Sequence, residues 1–251
     1  MGELQSPSVR NHLANAHTVR AYDRELACLR GLILDMGERV VEQTQAAVSA
    51  LLDADLSPAY RVLDREPQID FLALDADEEV FRVIARRQPT AVDLRIVLAL
   101  ARIAGEAERG ADKAARIARS ALEFRADDSD SALPAGIAHA LRAQDELVCC
   151  AFERSIAAVS QFDCALAVGI FEDEPALINA TRTIHQALLA PLDPPLPPAK
   201  LGPLFVIAHA LEYIGRHAGA IAEQVIYVAE GKDVRFRNRE ILIETLRHRG
   251  G

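Results

Sequence analysis

The chain has 251 residues, of which 50% are hydrophobic and 26% charged, with four Cys and no Trp. Its net charge of -9 repels a phosphate backbone, and no basic stripe interleaved with aromatics is evident, so direct nucleic-acid binding is excluded as a leading function. Cys28, Cys149, Cys150 and Cys164 form no CxxC pair, which argues against a zinc ribbon or a disulfide framework and for small core residues in a reducing compartment.

No apolar run approaches the ~18 residues needed to span a bilayer, and no apolar segment follows the start in the manner of a secretory signal. The chain reads as cytoplasmic.

Apolar residues recur at helical spacing and alternating strand-like runs are missing, which predicts an all-α fold. The first helix is expected from about His17 to Leu52, carried by Leu29, Ile33, Met36, Val40 and Ala47, and the Asp53 to Pro58 stretch ends it. A second helix is expected from Pro58 to Arg87. A third runs from Thr90, a candidate N-cap, to about Phe124.

A polar linker, 125–133, separates these from a fourth helix over Pro134 to Ser160, a fifth over about Asp163 to Ala190 and a sixth over about Lys200 to Glu230. The proline-rich segment from Pro191 to Pro198 is a stiff connector between the last two. Residues 232–251 form a C-terminal tail.

The two halves, 17–124 and 134–231, match element for element. Each reads helix, loop, helix with an early proline (Pro67, Pro175), proline break, long helix. Within the long helices, Ala104, Glu108, Ala114, Ile117 and Ala118 recur as Ala208, Glu212, Ala218, Ile221 and Ala222 at a constant offset (212 − 108 = 104). The chain therefore reads as a tandem pair of three-helix bundles, six helices in all.

The third helix carries the chemistry. Leu94, Val97, Ala101, Ala104, Glu108 and Asp112 follow one another at three or four residues, so two carboxylates continue an apolar stripe. The other edge collects Arg95, Arg102, Arg109, Lys113 and Arg116, the pattern of a solvated face. Like charges at i and i+4 oppose helix formation by a few tenths of a kcal/mol, so a cation is needed nearby. It is either Arg109 or Arg116 on the same helix or a bound metal held with acids of facing helices, for which the second helix offers Asp70, Asp75, Asp77, Glu78 and Glu79, and the first Asp35, Glu38 and Glu42.

In the second half the acids are lost together. No Asp or Glu lies between Pro175 and Leu192, and Arg216 stands where Asp112 would recur, giving a well-oriented pair with Glu212. His209 and His217 flank Glu212 but read as packing or capping residues, since the Glu-x-x-His element of di-iron bundles is absent. No glycine-rich phosphate loop, GxSxG elbow or HExxH occurs. A metal-storing or metal-dependent helical-bundle enzyme is the alternative reading.

Several segments resemble the PhoU family. They are the stretch from Ile84 to Arg95 containing Arg-Arg-Gln-Pro-Thr-Ala, the Glu-Arg-x-x-Asp from Glu108 to Asp112, Met36-Gly37, and the stretch from Ile221 to Arg235. The resemblance implies a non-enzymatic regulator of phosphate uptake and phosphate-starvation signalling that couples a phosphate ABC transporter ATPase to a sensor histidine kinase. It implies two three-helix bundles, often as a homodimer, reaching the membrane only through partners. It further implies a divalent or trivalent metal ion in the first bundle at Glu108 and Asp112, joined by Asp77 from the second helix. An accessory role to a low-affinity phosphate permease is a related alternative.

Overall fold

A computed structural model describes residues 7–126, 132–193 and 195–234. It contains six helices, α1 (Pro7–Leu52), α2 (Ser57–Arg87), α3 (Ala91–Arg125), α4 (Ala135–Gln161), α5 (Cys164–Leu189) and α6 (Pro198–Glu230), and no strand among the described residues. The all-α expectation holds. The central part of the 125–133 linker and the tail beyond Val234 lie outside the described residues.

The helices begin and end where local chemistry dictates. Asp163 caps α5 by accepting hydrogen bonds from the backbone N–H groups of Ala165 (2.8 Å) and Leu166 (3.1 Å). The α2–α3 break follows the proline. Gln88 takes a left-handed conformation (φ 48°) and its N–H closes α2 onto the Ile84 carbonyl, Pro89 follows, and Thr90 is extended. Thr90 occupies the N-cap position, but its hydroxyl makes no capping bond. The next residue, Ala91, is itself left-handed (φ 50°), and the Asp93 N–H bonds the Thr90 backbone carbonyl at 3.1 Å instead.

Helix α3 packs on α1 and α2, and α6 on α4 and α5, while α3 against α6 and α1 against α4 join the halves. Alanine dominates the centre. Ala99, Ala104, Ala107, Ala111, Ala114, Ala115, Ala118 and Ala121 of α3 are buried, which lets long helices approach closely. Two glycines mark the tightest crossings of α1, α3 and α4. A Cβ on Gly110 would lie 3.1 Å from Val40 Cγ1 and 3.3 Å from Phe152 Cε2, and one on Gly37 would run into the Ile156 side chain. Gly37→Ala is expected to cost about 1–3 kcal/mol by overpacking, read as a lower midpoint in urea with the slope unchanged.

Helix ends far from the proline junction are closed by cations. The buried Lys200 ammonium donates to the Phe124 carbonyl in the last turn of α3 and sits 5.3 Å over the Phe124 ring. Arg125 donates to the Leu51 carbonyl at 2.9 Å, tying the ends of α1 and α3. Of the cysteines, Cys149 is buried and Cys164 half-buried, whereas Cys28 and Cys150 are exposed and so are not core residues as expected. All four are free thiols.

Candidate functional site

The stripe that carries Glu108 turns outward along α3. Val97 and Ala104 are buried, Glu108 is half-buried and Asp112 exposed. Here α2 and α6 flank α3 and leave a cavity of about 650 Å³, whose polar lining includes Asp70, Asp77, Glu106, Glu108, Glu223 and Arg102. Asp77 and Glu108 thus share one cavity. Asp112 does not line it, yet its charge reaches both Glu108 and Asp70.

Burial, then the Asp112 charge, push Glu108 above the ordinary carboxylate range, with Asp70 adding to the repulsion and the charges of Arg109 and His217 only partly offsetting it. Asp70 is raised for the same reasons, burial first and then Asp112. Neither Glu108 nor Asp112 makes an ion pair among the described residues. The intrahelical alternative is not realised, because Arg109 pairs with Glu106.

Glu106 is the acid that spacing missed. It accepts from Arg109 and meets Nδ1 of His217 on α6 at 2.8 Å. Burial raises its carboxyl, but the bonds from His217 and Arg109 outweigh that and hold it below the ordinary value. The only signal in the sequence was the i, i+3 relation to Arg109. His217 is therefore a bridge between halves rather than a helix cap, and His209 packs edge-on against Tyr213. The basic edge of α3 is not simply solvated either, since Arg95 and Arg102 both lie 5.9 Å over the Tyr227 ring of α6 and Lys113 lies 5.5 Å over Tyr213.

A carboxyl whose folded pKa is depressed stabilises the protein above its unfolded value and loses that contribution as pH falls. Glu106 starts from 4.5. Glu106→Gln should therefore flatten the loss of stability below about pH 4.5, measured by urea denaturation across pH 3–7.

The donors in the first cavity are carboxylate oxygens, the chemistry that suits a hard cation. Among the described residues, no three Asp, Glu, His or Cys side chains converge closely enough to hold an ion as they stand. An ion would have to draw them together. A cavity beside Glu212 in the second half, about 280 Å³, is lined by Glu174, Glu212 and Arg216 among apolar residues of α5 and α6. There Glu212 is buried and its carboxylate accepts from Arg216. That site does not fit a metal, since its cation is already a side chain.

Paired three-helix bundles, joined through their long third helices, define a class of all-helical scaffold. A PhoU domain model matches residues 33–121. The phosphate-specific transport system accessory protein PhoU homolog of Pseudomonas aeruginosa is 30% identical over 220 residues, spanning 87% of this chain and 89% of that protein. The accessory protein PhoU of Escherichia coli strain K12 is 28% identical over 223 residues, 88% of this chain and 90% of that one. The crystal structure of PhoU from Pseudomonas aeruginosa superimposes with a TM-score of 0.77 over 84% of this chain and 100% of that chain. A Streptococcus pneumoniae PhoU structure, 20% identical and also at 0.77, shares the fold. The chain belongs to the PhoU family.

Proposed function

We propose that this protein is an accessory, regulatory component of a phosphate-specific transport system, acting through binding rather than catalysis. The observation that carries the reading is the 30% identity to an accessory protein of such a system over nearly the full length of both chains. No described helix is long and apolar enough to cross a membrane, so association with a transporter runs through protein contacts.

In the finer reading, the two halves 17–124 and 134–231 act as two helical units, the protein works in the cytoplasm as a homodimer, and it links the transporter ATPase to a sensor histidine kinase. It restrains the starvation response while phosphate is plentiful. A hard metal ion at the first cavity would be held by Glu108 and Asp77, which line it, with Asp112 drawn in from the exposed side of α3 and Asp70 beside them, and would supply positive charge. The chain's own contribution there is Glu106, which fastens the cavity wall to α6 through His217.

Affinity capture of the tagged chain from phosphate-replete cells tests the reading. It should recover the transporter ATPase and the kinase, and deletion of the gene should switch on starvation-response transcription in phosphate-rich medium. Recovery of neither partner, with transcription unchanged on deletion, would overturn it.

A further inference from the structure

The two cavities share one equivalent pair on the long helices, Glu108 of α3 and Glu212 of α6, related by the offset of 104 residues, and the charges around these two acids are balanced differently. In the first, Glu108 is half-buried, without an ion-pair partner among the described residues, and repelled by Asp112 and Asp70. In the second, Glu212 is only 7% exposed, a position in which a lone carboxylate is costly. It is bonded to Arg216, four residues along the same helix. The guanidinium is fixed from a second side as well, lying 5.3 Å over the Tyr213 ring.

Glu212 is held in an apolar wall, while the Arg216 side chain reaches it from the solvent side and stays 52% exposed. Leu177 of α5 packs so close to α6 that a Cβ on Gly215 would sit 3.0 Å from Leu177 Cδ1, and Ile170, Phe171 and Ile178 line the rest of the cavity. A cation entering here would have to displace a tethered one that stacks on an aromatic ring and already satisfies the buried acid.

We propose that Arg216 is the resident cation of the second cavity, neutralising Glu212 in place of a metal ion and closing that site to metal, so that the protein responds to cations through its first half only. The single-site part of this inference rests on the proposed metal site in the first cavity. The part concerning Arg216 stands on the Glu212 geometry alone.

Two arms separate these. In thermal unfolding without added metal, Arg216→Ala should lower Tm by about 5 °C, as expected for a buried charge left without its partner in a protein of this size. Arg216→Lys should retain most of the wild-type Tm. An Arg216→Ala protein as stable as wild type would overturn the resident-cation role whether or not the first cavity binds metal. In the second arm, Glu108→Ala/Asp112→Ala removes two of the three acids proposed to hold metal at the first cavity, and Arg216→Asp is added to that background. Mn2+ should raise the Tm of the triple variant and leave that of the double variant unchanged. A triple variant indifferent to Mn2+, or a double variant stabilised through its second cavity, would overturn closure of the site by Arg216. A wild-type protein without any Mn2+ response would count against the first-cavity reading, leaving the Arg216→Ala and Arg216→Lys contrast to decide the rest.

Discussion

Phe152→Ala is expected to cost about 4 kcal/mol. Phe152 lies on α4, is fully buried, and presses its ring edge to within 3.3 Å of where a Gly110 side chain would begin. On the far side of Gly110 stands Val40 of α1, so the phenyl ring fills the point where α4 of the second half meets α1 and α3 of the first. Truncation leaves a void in a region where helices are already held at alanine and glycine distance. Such a crossing cannot collapse easily, which places the cost in the upper part of the usual range for losing a buried aromatic side chain. Urea denaturation followed by circular dichroism should show a much lower midpoint and one transition if the halves unfold together. A second, unshifted transition would mean that the joint is not shared.

Asp145→Asn should act in the opposite direction. Asp145 lies on α4, and burial pushes its carboxyl from 3.8 to about 6, although the Cys149 thiol donates to it at 3.4 Å. A carboxyl with a raised folded pKa is a liability above that pKa. Its cost is absent below the unfolded value of 3.8 and complete above about 6. At about 1.4 kcal/mol per tenfold change in proton affinity, the full cost approaches ~3 kcal/mol. Asparagine keeps the acceptor for Cys149 and removes the charge. The variant should gain about 2–3 kcal/mol at pH 8 and little at pH 4, so the stability difference between the two proteins should grow as pH rises from about 4 to 6 and then level off. A gain of equal size at both pH values would show that ionisation is not its source.

Glu106 and Asp145 therefore oppose each other in acid. Protonating Asp145 relieves a cost between about pH 6 and 4, whereas protonating Glu106 removes a stabilising contact below about 4.5. The wild-type protein should be most stable in mildly acidic solution rather than at neutrality.

Much of the fold was legible because prolines and polar runs interrupt long helical periods. The break at Pro89, the proline connector before α6 and the start of α5 beside Asp163 all fall within a few residues of expectation. Helix α1 already includes Pro7 rather than beginning near His17, since residues 8–16 contain no proline or glycine to break it. The exposed Cys28 and Cys150 show the limit of composition, since residue type does not say which side of a helix faces water.

The site was legible only in part. Spacing along one helix identified Glu108 and Asp112, and the 104-residue offset identified the Glu212–Arg216 pair, both being local relations. Asp70 as the nearest acid from α2, and Glu106 bonded to His217, depend on how three helices rotate against one another. The stacking of Arg95 and Arg102 on Tyr227 has the same origin. Along α3 alone these arginines form a charged edge, and α6 brings the Tyr227 ring against two of them.

Metal stoichiometry tests the asymmetric cation site most directly. Wild-type protein loaded with Mn2+ and dialysed should retain about one ion per chain by elemental analysis, and the Glu108→Ala/Asp112→Ala variant about none. Equal metal in both proteins, or two ions per wild-type chain, would contradict it.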